Sequence, residues 1–140
     1  ALGRMHSLGV SHGRPSPKDI CLRDGQITFI DLERHRSGFN NPKGQARDLV
    51  VLAYTTLASG LDCDRELAAA FAAYRREAPP ENWALAQKIC RNWRWADWVT
   101  RPIQGRRAGQ AREVKAIPLV LNAFLSDRFE AQSRPTGKKD

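Results

Sequence analysis

The chain has 140 residues, 23 basic against 15 acidic side chains for a net charge of +8, and 41% apolar residues. That supports one modest hydrophobic core and excludes a two-domain enzyme or a collagen-like repeat. No apolar run approaches the roughly 18 residues of a membrane-spanning helix, so a soluble domain is expected. The charge is lopsided: residues 1–70 carry 9 basic and 8 acidic side chains, residues 71–140 carry 14 and 7. A basic half attracts phosphates, nucleic acid or anionic lipid without choosing among them. Cys21, Cys63 and Cys90 are odd in number, with no Cys-x-x-Cys spacing and no nearby His cluster. Buried free thiols in a reducing cytoplasm are therefore expected, rather than disulfides or a metal site. The opening ALGRMHSLGV starts without Met, in what reads as mid-helix, and has no basic-then-apolar leader, so a piece of a longer protein is expected.

In chain order, Leu2, Met5, His6 and Leu8 fall at near-helical spacing, and Gly9 stops that helix. Val10 to Asp19 contains Gly13, Pro15 and Pro17, the last driving Ser16 extended, and reads as a loop. Ile20 to Arg23 and Gln26 to Leu32 carry β-branched and aromatic residues around Asp24-Gly25, the strongest short hairpin signal, so two antiparallel strands are predicted. Ser37 to Gly44 is a second loop, and Ala46 to Ala58 places Leu49, Leu52, Ala53 and Leu57 on one helical face that Gly60 ends. Asp62 caps a helix with Leu67, Ala70, Phe71 and Tyr74 inward, broken by Pro79-Pro80. Residues 81–99 read as another helix. Glu113 to Phe129 makes the last, interrupted or started near Pro118, with Leu119, Val120, Ala123 and Phe124 as its apolar stripe. The sum is an α+β, mainly α unit over residues 1–131: a loop and hairpin region at 10–33, a helical part at 45–131, then a polar tail at 132–140 expected to be disordered.

The informative stretch spans residues 5–57. MHSLGVSHGRPSPKDICL, then ITFIDLE, then ARDLVVLAY resembles the C-terminal lobe of the protein-kinase-like superfamily. Its His-Gly and Ile-Asp-Leu-Glu variants are most similar to the lipopolysaccharide kinase (Kdo/WaaP) group of bacteria. The kinase family of tRNA threonylcarbamoylation is a second likeness, because it also follows Met-His with His-Gly. Beyond residue 57 the resemblance extends only by helix count. It implies ATP and Mg²⁺ as cofactors and transfer of a phosphoryl group to a sugar hydroxyl of lipopolysaccharide core or a similar anionic acceptor. It also implies a place at the cytoplasmic face of the inner membrane, and an N-terminal lobe that these residues lack. Without that lobe the 140 residues alone are expected to transfer no phosphate.

Phosphoryl transfer needs metals held by oxygen ligands on rigid neighbouring segments. Asp31 closes the apolar run Ile27 to Ile30, where a buried strand would hold its carboxylate, and it matches the superfamily's metal-binding Asp; a turn-capping Asp is the plain alternative. Asp19, seven residues after His12, stands where the family places a metal-binding Asn, against the alternative of an ordinary loop acid. His12 matches the loop His, a structural role. Asp48 matches the buried Asp that anchors the loop backbone, the alternative being a first-turn Asp favoured by the helix dipole.

The departure lies at Arg14. Two residues after His12 a catalytic kinase carries the Asp that accepts the substrate proton, and a guanidinium cannot act as that base near neutrality. The Lys expected two residues further on is Ser16, leaving Lys18 as the nearest substitute. Three functions compete: a kinase-family phosphotransferase with a degenerate loop, a catalytically inactive kinase-like binding module, and, last, a basic nucleic-acid-binding protein. In the C-terminal half, Trp83, Trp93, Trp95 and Trp98 lie among Arg91, Arg94 and Arg101. The favoured reading packs Trp83, Ala86, Cys90 and Trp93 into the core with the arginines solvated, over stacking on bases or meeting lipid headgroups. Arg101, Arg106, Arg107, Arg112 and Lys115 form a basic run, suited equally to an anionic surface or a soluble loop.

Overall fold

A computed structural model describes residues 1–60, 63–105 and 111–126. The expected Asp62 cap, Arg106 and Arg107 of the basic run, the last helix beyond Ser126 and the polar tail lie outside the described residues. The elements are α1 (Leu2–Ser7), β1 (Ile20–Arg23), β2 (Gln26–Phe29), α2 (Pro42–Ala58), α3 (Asp64–Glu77), α4 (Pro80–Asn92), α5 (Arg94–Gln104) and α6 (Arg112–Leu125), with 3₁₀ turns at Pro17–Asp19 and Ser37–Phe39. The architecture is α+β and mainly α, with one two-stranded antiparallel sheet.

The core forms where helical periodicity puts apolar side chains on facing stripes. Leu49, Ala53 and Leu57 of α2 meet Trp83, Ala86 and Cys90 of α4 and Ala116, Val120 and Phe124 of α6, while Leu67, Phe71 and Tyr74 come from α3. Phe71, Trp83 and Phe124 form an aromatic triangle with centroids 4.9–5.2 Å apart, within the range where ring pairs add to simple burial. The hairpin turns at Asp24 (φ 50°) and Gly25 (φ 73°), both left-handed. That is the two-residue geometry matching strand twist, and it sets the register from Arg23↔Gln26 to Ile20↔Phe29.

Several expectations need correction. The second strand ends at Phe29 rather than Leu32, and the hairpin is not a buried scaffold: Leu22, Ile27 and Ile30 are exposed, and of β2 Phe29 alone is half-buried, packed against the core. The long helix begins at Pro42, four residues before Ala46, since Asn41 caps it by accepting the Gly44 N–H at 3.0 Å and Pro42 suits its first position. Asp48 thus lies in the second turn. Residues 81–99 are not one helix; the chain turns at Trp93 (φ −96°, ψ 5°), whose N–H is shared between the Ile89 and Cys90 carbonyls before α5 restarts. No Gly or Pro marks that break. Trp93 is consequently 58% exposed instead of core. Ala70 and Leu119 also face outward, Leu121 taking Leu119's place inside. The last helix runs through Pro118 without interruption, at the loss of one backbone donor. Cys90 is buried as expected but Cys21 is exposed on the hairpin.

Candidate functional site

The site is built from a buried carboxylate outward. Asp48 is 1% exposed, and its two oxygens accept consecutive backbone amides of the loop: Oδ2 takes the His12 N–H and Oδ1 takes the Gly13 N–H at 2.9 Å. Two charge-assisted bonds to adjacent amides fix the loop's position and direction at once. Gly13 sits at φ +99°, and a Cβ there would lie 2.3 Å from the Arg34 carbonyl oxygen, so only glycine lets the loop approach the segment after the hairpin. His12 is fully buried, lies edge-on to Phe29 at 5.3 Å, and has Nε2 3.2 Å from the Ile30 carbonyl. Its structural assignment fits these contacts: it joins the loop to the end of the hairpin.

Sequence reasoning missed the polar network behind Asp48. Asn82 donates from Nδ2 to the Tyr74 hydroxyl at 3.3 Å and to Gln45 Oε1 at 2.8 Å, and Gln45 donates to the His6 carbonyl at 3.0 Å. Tyr74, pushed up to about 12, chiefly by burial, stays a phenol. Its hydroxyl is hydrogen-bonded with His6 Nδ1 at 2.6 Å. His6 Nε2 faces Asp48 Oδ2 at 3.4 Å, an electrostatic contact rather than a formed hydrogen bond. These bonds tie α1, α2, α3 and α4 together beneath the loop, while His6 Nε2 and Asn82 Oδ1 are buried with no hydrogen-bond partner. The available signal was His6 and Tyr74 on apolar helical faces, where a polar atom needs a partner.

The chemistry-bearing residues converge on one open cleft of about 680 Å³, lined among others by Arg14, Lys18, Asp19, Asp31, Glu33 and Arg34, with Tyr54 and Glu113 opposite. The hairpin brings them together: the Ile30 N–H donates to the Asp19 carbonyl at 2.8 Å, one step past the Ile20↔Phe29 pair, and Asp31, the next residue, lines the same cleft as Asp19. Asp31 adopts φ 61°, a left-handed conformation that costs about 1 kcal/mol outside glycine and that Asp tolerates better than most. Unlike Asp48, Arg14, Lys18 and Asp31 are exposed and Asp19 is half-buried. Burial first, then the charge of Glu113, raises the Tyr54 phenol above its ordinary 10.0, which keeps it a hydrogen-bond donor.

Three cations (Arg14, Lys18, Arg34) and four carboxylates (Asp19, Asp31, Glu33, Glu113) face the same space. A bare anion or a bare cation leaves half of that set unmatched, whereas a divalent cation paired with phosphate uses both. Among the described residues no three His, Cys, Asp or Glu side chains group closely enough to hold a metal unaided. Mg²⁺ does not require it, because it binds through one or two carboxylates and completes its shell with phosphate and water. Hard oxygen donors beside guanidinium and ammonium groups fit a magnesium–phosphate ligand. Comparisons with protein-family models, curated proteins and solved structures found no match for this chain.

Proposed function

We propose that this chain is the C-terminal lobe of a kinase-like phosphotransferase, and that its cleft binds the phosphates of ATP together with Mg²⁺. The supporting observation is the Asp48 clamp on the amides of His12 and Gly13, which presents Arg14, Lys18 and Asp19 to the cleft that also receives Asp31. In this reading Asp19 and Asp31 hold the metal, while Arg14, Lys18 and Arg34 bind phosphate oxygens. When bound, Mg²⁺ neutralises charge on the transferring group. Arg14 replaces the base with a fixed positive charge. A loose transition state tolerates this, since positioning and neutralisation matter more than proton removal. The proposed acceptor is a sugar hydroxyl on a phosphorylated molecule such as lipopolysaccharide core.

The test is calorimetric titration with ADP in the presence and absence of Mg²⁺. Magnesium-dependent binding that Asp31→Asn weakens at least about tenfold supports the reading; binding that ignores both magnesium and Asp31 refutes it. An inactive binding module is the second reading, favoured by the exposed guanidinium of Arg14 at the position of the base. Arg14→Asp separates the two in the full-length protein. If that change creates or sharply raises phosphotransferase activity, the chain is a kinase that lost its base and kept its metal site; if it only lowers phosphate affinity, Arg14 acts electrostatically.

A further inference from the structure

The outward side of α5 is the largest feature that the phosphate cleft leaves unexplained. Ala96 is buried and Thr100 and Ile103 are half-buried, which sets the inner face. Rotating outward, Arg101, Arg94, Trp98, Pro102, Trp95 and Val99 occupy the opposite side. Trp98 is 72% exposed, Trp95 61% and Val99 54%, with Trp93 at 58% where α4 meets α5. A chain that buries Trp83 at 9% leaves three tryptophans in water beside one another, an arrangement that marks an interaction surface. Arg94, Trp98 and Arg101 follow one another at i, i+4 and i+7, so two guanidinium groups flank Trp98 at the edge of the aromatic face. Asp97, the one acid of α5, is engaged with Arg101 at 3.6 Å and with Gln104 Nε2 at 3.1 Å.

We propose that α5 is a membrane-interface helix that seats this lobe on an anionic lipid bilayer. Tryptophan prefers the headgroup layer, where the ring is desolvated and the indole N–H stays hydrogen-bonded, and arginine beside it meets lipid phosphate. The arginines suit an anionic surface, and the form of the face decides which one. A second copy would set arginines against each other. Single-stranded nucleic acid needs a groove with rings free to stack on bases, whereas α5 is an outward ridge held from behind by α4 and α6, and Trp95 already stacks on Trp93 at 6.2 Å. The proposal stands apart from phosphate binding in the cleft.

Co-sedimentation of the chain with phosphatidylcholine vesicles, with and without phosphatidylglycerol, tests it. The expected result is binding to the phosphatidylglycerol vesicles alone, with a blue shift in tryptophan emission that inorganic phosphate does not reproduce. Trp98→Ala weakens the partition about tenfold, and Arg94→Gln and Arg101→Gln each weaken it about fivefold. These side chains are exposed, so far-ultraviolet circular dichroism stays as in the unmodified chain, and Asp31→Asn binds vesicles normally even if nucleotide binding is lost. The proposal is overturned if neither vesicle binds, if the variant combining Arg94→Gln, Trp98→Ala and Arg101→Gln binds as tightly as the unmodified chain, or if the tryptophan face responds to an oligonucleotide or to self-association while vesicles leave it unchanged.

Discussion

Asp48 and Asp31 serve the same loop from opposite environments. Asp48 is 1% exposed, accepts two backbone amides and rests on a buried relay through His6, Tyr74, Asn82 and Gln45. Asp31 is exposed, left-handed in backbone, and follows a ribbon most of whose residues are exposed. The difference separates two tasks. In the proposed function, placement of the loop falls to buried groups and chemistry to exposed ones. In that reading an arginine at position 14 is tolerable because its side chain is exposed and outside the buried clamp.

The sharpest way to break this comparison is to remove each carboxylate. Asp48→Ala leaves two buried amides and His6 without their partner and is expected to cost about 3–5 kcal/mol in urea denaturation, whereas Asp31→Asn changes stability by less than about 0.5 kcal/mol. Equal losses would dissolve the distinction. Next in size is Gly13→Ala, where the added Cβ meets the Arg34 carbonyl at 2.3 Å and φ is +99°; a loss of about 2 kcal/mol or more is expected, with weakened nucleotide binding because the loop itself must move.

The pH dependence of stability also belongs to the buried side. Burial raises Cys90 from 9.0 to about 12 and is the main cause of the rise in Tyr74 from 10.0 to about 12. The unfolded chain therefore releases these protons before the folded chain does. Stability held below pH 9 falls as pH rises from 9 toward 12, with a slope of about 1.4 kcal/mol per pH unit for each proton. The slope steepens above pH 10 when Tyr74 joins Cys90, and Cys90→Ala removes the earlier limb. Iodoacetamide on the folded chain is expected to label exposed Cys21 and spare buried Cys90. The smallest effect is at Asp31→Gly: relief of the left-handed backbone offsets the added freedom of the unfolded chain, so stability stays level or rises by about 0.5 kcal/mol while magnesium-dependent binding is lost.

How much of this was legible follows the range of the interactions. Asp24-Gly25 announced the hairpin because turn chemistry is local, and the apolar spacing of Leu49, Ala53 and Leu57 announced the inner face of α2. Asp48 stood out only through the resemblance of its neighbourhood to a known lobe. The relay from His6 to Tyr74, 68 residues apart in the chain, has no periodic signature. Partner choice among buried polar groups depends on which helices meet. The break at Trp93 carries no Gly or Pro, so the apolar spacing of Trp83, Ala86 and Cys90 seemed to continue through Trp93 and concealed the exposed tryptophan face. Strand composition likewise revealed the hairpin, but not that Ile27 and Ile30 stay exposed on it.

The most direct test of the cleft is paramagnetic broadening of backbone amide resonances by Mn²⁺ added with ATP. Broadening centred on Asp19 and Asp31, extending to Arg14 and Tyr54 across the cleft and abolished by Asp31→Asn, is the expected result. Broadening that is uniform over the acidic surface, or that persists undiminished in Asp31→Asn, would contradict a magnesium–phosphate site in this cleft.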